Sequence, residues 1–203
     1  MSSSKIQRTA TLLALAALST ACALGGGDVR YRVIAPQVTV EVDTSPSRAV
    51  VLAIGRPEAD RTRDSSRILV RRGRHLLPWR EAAWTDRAPD LLQSLAVESL
   101  DGRLATVVRR GSLPADYRLD LDLRRFELVE AHGGLVPEFS MGVRLLDASG
   151  RMLGATTISA SGNPAAGRSL DAAMSAMEAA ISNGLGLLAE WLGARLSRES
   201  GHE

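Results

Sequence analysis

The sequence holds one lysine, Lys5, one cysteine, Cys22, and aromatic residues at only 3% of its 203 positions. Each scarcity excludes something. A single thiol cannot form a disulfide within the chain, so packing alone must hold the fold. With so few aromatic rings, Leu, Val and Ala must fill the core. Without lysine after position 5 there is no Ser-x-x-Lys pair beyond the first five residues and no P-loop, so the chain cannot drive ATP hydrolysis itself. No Gly-x-Ser-x-Gly elbow occurs, and nothing supports a serine hydrolase built on a distant histidine. His75, His132 and His202 form no pair at metal-ligand spacing. Neither a catalytic residue nor a metal is therefore expected. Long apolar runs are missing too: the one near the start covers about ten residues, where a membrane span needs about 20.

What is present begins with a leader. Lys5 and Arg8 precede the apolar stretch Thr9 to Leu18, and the small residues Ser19, Thr20 and Ala21 lead into Cys22. A basic start, an apolar core and small residues before a cut site predict a secretory signal over residues 1–21. Cys22 after Leu18-Ser19-Thr20-Ala21 resembles the lipobox of bacterial lipoproteins. Here Ser19 stands where Leu is usual, and Leu18 is one place further out. The resemblance implies cleavage before Cys22 and acylation, palmitate included, of its thiol and new amino terminus. That covalent lipid is the only cofactor expected. An ordinary secreted protein with a stray thiol is the bland alternative, disfavoured because a lone thiol is a liability in an oxidising compartment. Ala23, in place of aspartate, resembles the outer-membrane default. Losing residues 1–21 removes Lys5 and Arg8 and no acid, leaving 23 basic and 23 acidic side chains. The sequence pI of about 9.2 is thus no argument for nucleic-acid binding.

The remainder is long enough for one core of ordinary size. Residues 22–28, with Gly25-Gly26-Gly27, read as a flexible tether, residues 29–198 as a single domain, and 199–203 as a disordered tail. Residues 29–42 read as extended around Pro36. Ala49 to Gly55 is a continuous apolar run, expected of a central strand buried on both faces, and Asp60 to Ser66 reads as a polar loop. Ser66 to Pro78 reads as a β-hairpin turning at Gly73. Trp79 and Trp84 are expected around a helix start, with Asp86 as N-cap. Ala88, Leu91, Leu92, Leu95, Ala96 and Ser99 share one helical face, which ends at Gly102. Leu104 to Arg109 reads as a strand. Tyr117 to Leu123 alternates apolar and charged residues, and the phase slips before Phe126, predicting a bulge at Arg124-Arg125. After a reversal at Gly133-Gly134, Phe139 to Leu145 alternates again and should pair back antiparallel. A turn at 147–150 precedes a further strand, Met152 to Ser161. From Ser169 to about Arg198 an apolar stripe from Leu170 to Leu196 predicts a long helix, in which Gly184 and Gly186 mark a kink or a close contact. The expected fold is α+β: a mostly antiparallel sheet with two helices on one face, in one domain.

In order and spacing, several of these segments resemble the ABC-type transport auxiliary lipoproteins, the family that includes paraquat-inducible protein C. They are the lipobox, the Tyr31-Arg32-Val33 segment, the strand ending Gly55-Arg56-Pro57 and the hairpin from Ser66. Trp84 and Pro89 before a Leu-rich helix, the Tyr117 to Glu127 strand and a final helix reaching Trp191-Leu192 complete the set. The resemblance covers nearly all of the chain after the leader. It implies a non-catalytic partner at the periplasmic face of the outer membrane, and a homo-oligomer. Its implied partners are an inner-membrane ABC permease and ATPase and a mammalian-cell-entry-type substrate-binding protein, with lipid or another hydrophobic compound as cargo.

Outside Cys22, the candidate partner or head-group contacts are Arg71, Arg72 and Arg74 at the hairpin tip, with Trp79 and Trp84. The competing reading of the arginines is a solvated turn that guards a sheet edge, and that of the tryptophans is the core. Met174 and Met177 suit a loose hydrophobic surface, but packing on the sheet is favoured. The functional alternative is a lipoprotein that activates or braces a cell-wall synthase or an outer-membrane assembly complex. The few residues of tether argue against it.

Overall fold

The computed structural model describes residues 30–32, 34, 50–131, 133–165 and 169–200. Cys22, the leader, the tether and most of the 29–42 segment lie outside the described residues, as do His132 and His202.

One long strand organises the molecule. It is β7, Tyr117–Ala131, and it carries β8, Gly134–Asp147, antiparallel along its whole length. Beyond β8 lies β9, Met152–Ser161, also antiparallel. The other edge of β7 is shared in sequence by three short parallel strands. These are β2, Val51–Ile54; β3, Glu58–Ala59; and β4, Arg67–Arg72. β6, Thr106–Arg109, lies parallel to β2. β5, His75–Trp84, forms the hairpin with β4, and β1, Arg30–Arg32, runs parallel to the far end of β5. Helix α1 is Ala88–Leu100 and α2 is Leu170–Ser200. The α+β architecture is the expected one: its long ladders are antiparallel, and the short strands on β7 add parallel pairings.

Both ends of the apolar pattern on β7 face the helices. Leu119, Leu121 and Leu123 are buried, then Phe126 and Leu128, and the register shifts between Leu123 and Arg125 as the phase slip predicts. Without that extra residue, Phe126 and Leu128 would turn to the wet face. The helical face of α1 named from the sequence is buried throughout, and so is the α2 stripe from Met174 to Leu196. Met174 and Met177 therefore pack in the core. Ile54, the last residue of β2, lends its carbonyl to Nε2 of buried Gln93, which ties α1 to the sheet (3.0 Å).

Gly184 sits where α2 crosses β8. A Cβ built there would stand 2.5 Å from Phe139 Cδ1, so only glycine lets the helix come this close. Phe139 meets Phe126 edge-on at 6.2 Å, and Phe126 meets Trp84 at 5.2 Å. Three of the few rings thus form one row from β5 to α2.

Some expectations differ. β5 continues to Trp84, so both tryptophans lie on a strand and not at a helix start: pairing with β4 and β1 holds the chain extended there. The N-cap of α1 is Arg87, which makes no side-chain cap; Asp86 Oδ1 instead accepts from the Arg87 amide (2.7 Å). β3 and the extension of α2 past Arg198 were not legible in the pattern.

Candidate interaction surface on the β4–β5 hairpin

The hairpin turns at Gly73, whose φ of 58° lies in the left-handed region that glycine adopts freely. Arg72 pairs with His75 across the turn, Arg71 with Leu76 and Val70 with Leu77. Alternation along these strands separates the site residues read from the sequence. They do not form one cluster.

Arg71 projects from the face of the sheet that carries no helix. Its Nη2 donates to Glu138 Oε2, and its Nε lies 3.3 Å from Glu127 Oε1. Glu127 and Glu138 stand directly opposite each other on β7 and β8. Two like charges there repel, and arginines from three elements offset them. Arg63, from the 60–66 loop, donates to Glu127 and to Asp60, and Arg125 Nη1 donates to Glu138 at 2.6 Å. Glu127 is only 2% exposed, so its charge depends on these partners. Burial alone would lower the Arg63 pKa, but the Asp60 and Glu127 carboxylates outweigh it and raise it. Sequence reading missed this network. The parity after the bulge and the predicted pairing about Gly133 would have placed Glu127 and Glu138 on one face, but Arg63 comes from a loop with no periodic signal.

Arg72 is exposed and pairs with Glu130 at 3.0 Å. Arg74 is exposed at the turn, with no ion-pair partner among the described residues. Leu77 is 42% exposed, and Trp79 is half-buried against the core. Trp84 is 1% exposed and belongs to the aromatic row, so it is out of a partner's reach. What the hairpin presents is therefore Arg72, Arg74, Leu77, Trp79 and Arg80, a basic and apolar set. It can meet phosphate or carboxylate with guanidinium groups and an apolar boundary with its rings and methyls.

A second knot supports the Gly55-Arg56-Pro57 segment. Arg56 binds Asp90 in α1 through two nitrogens (2.6 and 3.0 Å) and Asp64 at 2.7 Å, and Arg87 also donates to Asp64 (2.8 Å). The Asp90 and Asp64 bonds raise the Arg56 pKa further. The Arg56 and Arg87 guanidinium groups hold the Asp64 carboxyl below its ordinary range. These contacts lock the end of β2 to the 60–66 loop and the first turn of α1.

The family model for the ABC-type transport auxiliary lipoprotein component matches residues 31–185. Among solved structures, a protein from Xanthomonas campestris is similar over 82% of this chain and 97% of its own, with 27% identity and a TM-score of 0.72. A second, an uncharacterized protein, shares the fold: it is 12% identical over 70% of this chain and 92% of its own, at a TM-score of 0.60. The PelC dodecamer from Paraburkholderia phytofirmans is a more distant likeness: 17% identity, 70% of this chain, 91% of that one and a TM-score of 0.45. No curated protein matches the chain.

Proposed function

Because the chain belongs to the family of ABC-type transport auxiliary lipoprotein components, matched over residues 31–185, we propose that it is the non-catalytic, lipid-anchored member of such a system. The anchor is the acylated Cys22, and the location is the periplasmic face of the outer membrane. The proposed partners are a mammalian-cell-entry-type substrate-binding protein with its ABC permease and ATPase, and the cargo is lipid or another hydrophobic compound moving between the two membranes. In this reading the mechanism is positional: acyl chains hold one side of the domain at the membrane while the folded surface docks on the transenvelope partner, as a homo-oligomer. The chemistry of ATP hydrolysis lies in other chains, and a loss of this protein weakens membrane integrity through lost lipid traffic.

The family match carries the proposal, and the lipobox at Cys22 adds the anchor. Affinity purification of the membrane-bound protein in mild detergent, with mass spectrometry of co-purifying proteins and lipids, tests it. A Cys22→Ser version runs beside it. Recovery of a cell-entry-type protein with ABC subunits is the expected result, reduced in the Cys22→Ser sample. Recovery of cell-wall synthases or assembly factors in their place would overturn it and promote the bracing role.

A further inference from the structure

We infer that the β4–β5 hairpin tip rests on the phospholipid head groups of the membrane that holds the Cys22 anchor, so that the domain stands on its hairpin end. The inference rests on the proposed acylation of Cys22, and three observations carry it.

The first is direction. β1 runs parallel to β5, with Arg30 beside Ala82 and Arg32 beside Trp84. β5 itself runs away from the turn at Gly73. The N-terminal end of β1, at Arg30, therefore points toward the hairpin tip. The same end of the sheet carries the β7–β8 turn at Gly133, because β4 and β7 are parallel. The first half of α2 lies toward the same end, since Gly162 sits against Pro137 and Ala176, whereas Gly154, near the β8–β9 turn, sits against Trp191 and Arg195. The β8–β9 turn at residues 148–151 lies at the opposite end.

The second is length. Eight residues separate Cys22 from Arg30, a reach of at most about 26–29 Å when fully extended. Ala83 stands opposite Arg67 and His75 opposite Arg72, so the bulged β5 rises over only five residues of β4, about 17 Å of strand. On so short a lead from the tip-facing end of β1, the anchor cannot hold the membrane far beyond the turn. The fully extended lead can thus pass the turn by no more than about 10–15 Å.

The third is chemistry. Arg74 and Arg80 are exposed with no ion-pair partner among the described residues, and Glu81 is the acid next to them in sequence. Leu77, exposed, and Trp79, partly buried against the core, lie beside them on β5; Leu113, Met152 and Leu187 are the other exposed large apolar side chains among the described residues, and none has an arginine set of this kind beside it in sequence. Guanidinium groups donate in pairs to phosphate oxygens. An indole and a leucyl side chain suit the boundary between head groups and acyl chains. A phospholipid surface offers both at once. An acidic protein patch would match the arginines and leave Leu77 in water.

The test uses the full-length acylated protein on vesicles of phosphatidylethanolamine and phosphatidylglycerol containing a lipid with a nitroxide head group. Acylated Cys22 offers no free thiol, so His75→Cys at the tip and Ala148→Cys at the far turn each create a unique labelling site for a fluorophore. Both positions are exposed. The expected result is flotation of both proteins with the vesicles, loss of most of the fluorescence at 75 and none at 148. Adding Arg74→Glu and Arg80→Glu to the His75→Cys protein should restore most of that signal. Flotation with equal quenching at the two positions, or none at either, would overturn the hairpin contact and leave the anchor standing. Failure to float would overturn the acylation reading, and this inference with it.

Discussion

Gly184 and Gly186 are two residues apart on the same helix, yet alanine at each should move stability in opposite directions. In an open helix position, Gly→Ala stabilises by about 1 kcal/mol through backbone entropy and propensity. Gly186 meets that condition, since a Cβ there has no heavy atom within 4 Å. At Gly184 the same Cβ would stand 2.5 Å from Phe139 Cδ1. Ordinary contact lies about 1 Å further out, so ring or helix must shift. Phe139 is 1% exposed and held edge-on by Phe126, so the ring has nowhere to swing. Forcing a methyl into such a core costs about 2–3 kcal/mol. Set against the ~1 kcal/mol propensity gain, Gly184→Ala should lose roughly 1–2 kcal/mol. For a domain of this size each kcal/mol shifts Tm by about 2–4 °C. Thermal unfolding followed by far-ultraviolet circular dichroism should show Gly186→Ala melting about 2–4 °C above the parent and Gly184→Ala about 3–6 °C below it. A Gly184→Ala protein melting at or above the parent would refute the close crossing of α2 and β8.

Trp84→Ala should cost about 3–5 kcal/mol, the range for a large ring lost from a core, and Trp84→Phe much less; chemical denaturation measures both, and a loss under 1 kcal/mol for Trp84→Ala would place the ring outside the core. Glu127→Gln should cost about 2–3 kcal/mol by leaving Arg63 short of its buried partner, read as a lower denaturation midpoint at unchanged slope. The carboxyl of Asp147 is held well below its ordinary range by bonds from the Ser149 hydroxyl and from Arg151. A carboxyl whose pKa is depressed on folding adds stability above its unfolded pKa and loses it as the pH falls toward the folded value. Melting should therefore be flat from neutral pH to about pH 5 and fall below pH 4, with a shallower fall in Asp147→Asn.

Local rules made much of this fold readable. Strict alternation from Tyr117 to Leu123, its slip at Arg124-Arg125 and the glycines at 73, 133 and 150 are written in neighbouring residues, because strand period and turn geometry depend on little else. The stripe from Leu170 to Leu196 follows from helix period in the same way. The Cys22 reading is also purely local, since cleavage and acylation act on a short extended segment and need no fold. Capping was harder to read. Asp86 is a good N-cap residue by type, but the hydrogen bond of the Ala88 amide to the Ser65 carbonyl, made by chain folding, starts α1 elsewhere.

Long-range pairing was decided only in three dimensions. That three short strands share one edge of β7 depends on where crossovers return the chain, and no residue periodicity encodes it. The partners of Glu127 come from a loop and a hairpin, so its burial is a property of the assembled sheet. Trp79 and Trp84 have the same residue type and sit five positions apart; whether each meets solvent or core was settled by the strands beside β5 and the rings beneath it. The sequence by itself determined most of the elements, because they arise from contacts between near neighbours. The tertiary structure alone decided which arginines are spent on buried carboxylates and which remain at the surface, because electrostatic pairing depends on distance in space and not along the chain.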